Sequence, residues 1–119
     1  MKIKIITGFR EDQYYVIDVD EAHKAYYLFN NPEKRGVFNN GVALIGKNIQ
    51  GIEPAWHETM GWNPTHKMNS EDWNEINTKG IATKLKEQLY EAKIASQYLE
   101  NNPQYANLPM SEIKPKFLQ

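Results

Sequence analysis

Ile3 and Ile5 alternate with Lys2 and Lys4, and Tyr14-Tyr15-Val16-Ile17-Asp18-Val19 is dense in β-branched and aromatic residues. The pattern predicts a β-hairpin with strands near 2–7 and 14–19, joined through the turn-like stretch Gly8 to Gln13. Periodicity then changes: Ala22, Ala25, Tyr26 and Phe29 recur at helical spacing, and Asp18 or Asp20 can cap this segment, with Glu21 placed as in a capping box. A helix over about 20–30 is expected, ended by Asn30-Asn31-Pro32 because proline restricts the residue before it. Val37-Phe38, Asn39-Asn40-Gly41 and Val42-Ala43-Leu44-Ile45-Gly46 predict a second hairpin with strands near 36–39 and 42–46, the Asn-Gly pair supplying positive φ angles for a tight turn. Ile49 and Ile52 extend the sheet or cross its edge, and Pro54 closes this β-rich part.

Residues 55–69 show no periodicity and read as a long loop. Ser70 is a candidate N-cap, with Glu71 and Asp72 placed favourably in a first helical turn, and Gly80 marks a break. The longest helix is expected within 79–101: Ile81, Leu85, Leu89, Ala92, Ala95 or Ser96, and Leu99 form its apolar stripe, and Lys84, Lys86, Glu87, Glu91 and Lys93 its solvated face. Residues 104–119, with Pro109 and Pro115, read as an extended tail. The fold class is therefore α+β: antiparallel hairpins with a short helix between them and a long C-terminal helix, in one domain over 1–103. The stripe of the first helix is widened by Tyr27 and Leu28 beyond what one thin sheet covers, which predicts a homo-oligomer using that helix or the face of 81–99.

Length and charge narrow the function. A 119-residue chain buries roughly two-thirds of its unfolded surface, enough for a modest core. Residues 1–60 carry 7 basic and 8 acidic side chains and the remainder 7 and 7, so neither half is polarised, and long nucleic acid is not an expected partner. There is no cysteine, which excludes disulfides, thiolate nucleophiles and cysteine-zinc sites. No apolar run approaches a membrane span and the first residues do not resemble a signal peptide, so a cytoplasmic protein without a membrane partner is expected.

One segment is chemically unusual. Residues 56–66 hold two of the three tryptophans, Trp56 and Trp62, and two of the three histidines, His57 and His66, together with Asn63. The indoles either anchor an irregular loop or offer a shelf for a flat ligand or a partner protein. Glu53, His57, Glu58 and His66 could supply metal ligands, but their spacing matches no metal motif, and no metal or other cofactor is expected. No serine elbow, phosphate loop or paired-carboxylate pattern occurs, so an enzyme is not the favoured reading. The only two arginines, Arg10 and Arg35, fall in turns. With Lys34, Phe9, Trp56 and Trp62 they form the best constellation for a nucleotide-like ligand, held by stacking and a phosphate contact. The predicted functional surface thus joins the 56–66 loop to the turn bearing Arg35.

The stretches Glu21-Ala22-His23-Lys24-Ala25-Tyr26-Tyr27-Leu28-Phe29, Gly36-Val37-Phe38-Asn39-Asn40-Gly41-Val42-Ala43-Leu44 and Met60-Gly61-Trp62-Asn63-Pro64 resemble small uncharacterised accessory proteins of tailed bacteriophages and prophages. The resemblance covers roughly residues 1–75 and carries no site residue. It implies a phage or prophage origin, and the leading expectation is a counter-defence protein in an infected bacterial host, binding a host defence protein or sequestering a small nucleotide signal. A structural or assembly component of the phage particle or replication complex is the alternative, and a small metal-dependent hydrolase centred on His57 and His66 the third.

Overall fold

The computed structural model describes residues 1–118. Strands β1 (Lys2–Ile6) and β2 (Tyr14–Asp18) pair antiparallel, Ile3 opposite Ile17 and Ile5 opposite Tyr15. On the far side of β1 lies β5 (Gly51–Pro54), Ile52 opposite Ile5, giving the order β2-β1-β5. Alternation buries Ile3, Ile5 and Ile17 on one face and leaves Lys2, Lys4, Tyr14, Val16 and Asp18 on the other. A separate two-stranded sheet is formed by β3 (Arg35–Val37) and β4 (Ala43–Ile45). The mixed α+β class and the antiparallel hairpins are as the sequence pattern predicts.

Helix α1 (Ala22–Phe29) follows a 3-10 turn over Val19–Glu21 and covers the apolar face of the three-stranded sheet with Ala22, Ala25 and Leu28. The long helix α4 (Ile81–Asn101) packs along α1, adding Leu85 and Ala92 to the same core. Asn31 ties the pair at one end, its Nδ2 donating to the Tyr27 carbonyl and to Glu100 Oε1, both at 2.7 Å. Helix α3 (Ser70–Thr78) precedes α4, with Gly80 at φ 72° between them, the left-handed conformation that glycine adopts without strain.

The extended tail expected over 104–119 is corrected for the described residues. A 3-10 turn over Pro103–Tyr105 leads into α5 (Met110–Phe117), which lies on α4 with Ile113 fully buried beside Tyr27, Ala95 and Leu99. Met110, Ile113 and Phe117 form a stripe at helical spacing, and its burial outweighs the one hydrogen bond that Pro115 cannot donate. The second layer over α1 is thus supplied by the chain's own α4 and α5.

Four local expectations are corrected too. The 55–69 stretch is not wholly loop: α2 (Trp56–Met60) forms there, ended by Gly61 at φ 74°. The cap of α3 is Asn69 rather than Ser70, because Asn69 and Asp72 complete a reciprocal capping box. No such box forms at Asp18, since the Glu21 carboxylate is turned instead to the backbone N–H of Asn39 and to Lys24. In the second hairpin only Gly41 has positive φ, at 90°; the chain turns over Phe38–Gly41 and glycine takes up the bulge position.

Two glycines separate backbone conformation from close approach. A Cβ on Gly46 would lie 2.1 Å from the Leu28 carbonyl oxygen and 2.5 Å from that of Asn31, whereas one on Gly41 would meet nothing. Gly46→Ala is expected to lower unfolding free energy by about 2–3 kcal/mol through forced separation of the hairpin from α1. Gly41→Ala should cost only about 1 kcal/mol, from the left-handed backbone. Urea denaturation of both variants measures the difference, and equal effects would contradict it.

Candidate functional site

The residues singled out in the sequence fall into three places. Arg10 stands at the tip of the first hairpin beside Phe9, which is 96% exposed, and its Nε lies 3.7 Å from Asp12 Oδ1. Trp56, His57, Trp62, Asn63 and His66 come together around α2 and the start of α3. Arg35 lies elsewhere, in the wall of a groove that contains no residue of 56–66. The tryptophan segment and the Arg35 groove, expected to form one surface, are therefore two places that share no lining residue.

The first of them is a clasp. Trp56, half-buried against the main core, meets Trp73 of α3 edge to face, with ring centroids 5.9 Å apart. The rings of His57, Trp62 and His66 pack together at centroid distances of 5.2–6.4 Å. Carbonyls only accept, so His57 carries its proton on Nε2 and donates to the His66 carbonyl at 2.7 Å. His66 Nε2 in turn lies 2.8 Å from Asp72 Oδ2, the carboxylate oxygen that also accepts from the Asn69 N–H. Asn63 Oδ1 accepts from the Thr65 N–H and Oγ1–H and turns the chain. His57 thus spends Nε2 on closing the 57–66 segment on itself, and His66 spends its own on fastening that segment to the cap of α3. Beside them, Glu58 Oε1 accepts from Tyr14 O–H at 3.4 Å; burial first, then the Glu58 charge, raises the Tyr14 phenol above its ordinary value. Among the described residues no three His, Asp or Glu side chains are grouped to hold a metal ion.

The second place is the groove, about 850 Å³, between the β3–β4 hairpin and β2. Phe38 and Leu44 are buried in its floor, and Tyr15 closes one end. Its polar groups are Arg35, Lys24, and the carboxamides of Asn39, Asn48 and Asn107. A narrower recess continues inward past Arg35 to Tyr27 and Leu28, bounded by Ala106 and Asn107 of the C-terminal segment. Lys24 is neutralised by Glu21, its Nζ 3.2 Å from Oε2 with both side chains buried. Arg35 is exposed and has no ion-pair partner among the described residues, so the groove carries one uncompensated guanidinium. Chemically this is a binding surface: an apolar floor, a planar cation and three groups that both donate and accept.

Of the polar and aromatic residues lining the groove, only Arg35 is among the candidates read from the sequence; Tyr15, Lys24, Asn39, Asn48 and Asn107 are not. The one available signal was the Glu21/Lys24 pair at i,i+3 on an otherwise apolar helix, which marks a buried ion pair rather than a solvated one. Compared with known protein families, curated proteins and solved structures, the chain matches none.

The Asn69 N–H first, then His66, holds the Asp72 carboxyl below its ordinary value. A depressed carboxylate contributes stability above its unfolded pKa and loses it as pH falls through the lower folded value. Asp72→Asn should therefore destabilise the protein at pH 7, and the gap between variant and wild type should close below about pH 4. Thermal melts across pH 2.5–7 measure it; a gap unchanged down to pH 2.5 would contradict the assignment.

Proposed function

We propose that the protein is a non-enzymatic binding protein that takes a small anionic, ring-bearing molecule of the nucleotide class in the Arg35 groove. The observation that supports this most directly is the unpaired Arg35 guanidinium in the wall of a concavity with an apolar floor. A guanidinium fork suits phosphate oxygens, and the face of Tyr15 or the exposed Val37 suits a flat ring. Asn39, Asn48 and Asn107 offer both donors and acceptors to a base edge. Joined to the resemblance to phage accessory proteins, this chemistry favours sequestration of a nucleotide signal in counter-defence. Capture of a host defence protein is the second reading, favoured by the single observation that Phe9 projects 96% exposed beside Arg10 at a hairpin tip.

The test is equilibrium binding of a panel of adenine and guanine nucleotides, linear and cyclic, with mass spectrometry of what denaturation releases. The expected result is uptake of at least one member and its release intact. Arg35→Ala should weaken that affinity by about 1.5–3 kcal/mol, more at low salt than at high. Trp62→Ala, in the separate clasp, should leave it unchanged. No uptake of any member, or full affinity in Arg35→Ala, would overturn the assignment; a chemically altered product would replace it with an enzyme.

A further inference from the structure

His23 is a titratable side chain that neither the clasp nor the ligand groove employs. It sits in α1 with 0% of its surface exposed. Its Nε2 lies 2.7 Å from the carbonyl oxygen of Leu108, a residue 85 positions away. Because that carbonyl can only accept, the neutral ring keeps its proton on Nε2, and Nδ1 is a bare acceptor. Nδ1 is buried and has no hydrogen-bond partner among the described residues. Leu108 directly follows Ala106 and Asn107, which bound the groove and its inner recess. One part-buried hydrogen bond, together with the packing of Ala106 and Leu108 on the second core, thus holds the part of the C-terminal segment that forms the groove wall.

We propose that the His23–Leu108 bond is a proton-released latch that holds this wall closed at neutral pH and frees it on mild acidification. Protonation would place a charged N–H at Nδ1, in a buried position with no acceptor, and the ring escapes that cost by leaving for water, which breaks the Leu108 bond. The charged groups that act on the ring are Lys24, which opposes protonation, and Glu21 and Asp20, which favour it. Segment 103–117 offers the ring only the Leu108 carbonyl, and its Lys114 is paired with Glu91 of α4 at 3.0 Å. Burial outweighs the rest and lowers the pKa of His23 below the ordinary imidazole value of 6.5. The latch is therefore fully formed above about pH 6.5, and weakens as pH falls from there toward the lower value of the closed state, because the unlatched ring binds the proton more readily. Ile113 and Leu99, buried together, keep α5 attached through helix packing, and Tyr105, Ala106 and Leu108 are only partly buried against the same cluster, so release is a local opening of the stretch around Leu108.

The consequence for ligand rests on the groove reading above, and the experiment separates the two. Hydrogen exchange of the apoprotein is followed at pH 7.5 and 5.5, corrected for the intrinsic pH dependence of exchange, in wild type and in His23→Gln, whose amide can donate to Leu108 but does not titrate. The expected result is a loss of protection over 105–109 of about three- to tenfold in wild type at pH 5.5, with 85–99 unchanged and no loss in the variant. Equal protection at both pH values in wild type, or the same loss in both proteins, would overturn the latch. Should His23→Gln not fold, the wild-type series decides, with the half-loss required below pH 6.5. Binding of 3′,5′-cyclic AMP, whose phosphodiester charge does not change over this range, gives the second arm. Its affinity should fall, by at most about tenfold, in wild type between pH 7.5 and 5.5 and stay constant in His23→Gln. Failure to bind at pH 7.5 would overturn the groove reading for this nucleotide and leave the exchange result to decide the latch. Binding without pH dependence would overturn the coupling.

Discussion

The structure turns on one buried carboxylate. Glu21, 3% exposed, accepts the Asn39 backbone N–H on both oxygens, at 3.2 and 3.0 Å, and Lys24 Nζ on Oε2 at 3.2 Å. A charge removed from water is tolerated only when its hydrogen-bonding capacity is met and an opposite charge stands by, and both conditions hold here. Through Asn39 the carboxylate fastens the turn of the β3–β4 hairpin to the start of α1. At the other end of that hairpin Gly46 comes so close to the Leu28 and Asn31 carbonyls that no side chain would fit. The hairpin is thus held to α1 at two points, and the groove is the space left between it and β2.

Helix α1 distributes the remaining constraints. Its sheet-facing residues Ala22, Ala25 and Leu28 complete the main core, and Tyr27 belongs to the second core with Leu99 and Ile113. Three positions in or flanking the helix connect it to separate parts of the chain: Glu21 to the hairpin, His23 to the C-terminal segment and Asn31 to α4. The groove is accordingly walled by β2, the β3–β4 hairpin and the C-terminal segment: α1 supports the last two, and Asn40 Nδ2, donating to the Val16 carbonyl at 2.9 Å, ties the hairpin turn to β2. Such a wall can be firm where it meets Glu21 and releasable where it meets His23. The clasp of His57, Trp62, His66 and Asp72 stands apart, consolidating the approach to α3.

The elements legible in the sequence are the local ones. Alternation in Ile3 and Ile5, the stripe from Ile81 to Leu99 and the turn around Gly41 each specify an element within a few residues, and each element is present. Helix α5 was hidden because two prolines mask a three-residue stripe whose burial depends on α4, more than ten residues away in sequence. The separation of Arg35 from the tryptophan segment was hidden for a related reason. Both come after the core strands β1 and β2 in sequence, but the partner of β3 is β4 rather than the three-stranded sheet, and this carries Arg35 away from α2. Glu21 looked like the acidic end of a capping box; its real partner, Asn39, lies across a helix and a turn.

A double-mutant cycle on Glu21 and Lys24 tests this account most directly, read as unfolding free energy of Glu21→Gln, Lys24→Met and the pair. If the buried pair seats the hairpin, each single change should cost about 3 kcal/mol by leaving its partner uncompensated, and the double variant should cost little more than either alone, a coupling of at least about 2 kcal/mol. Single effects below about 0.5 kcal/mol, or costs that simply add, would show that the hairpin is held by packing alone and would contradict the central role given to Glu21.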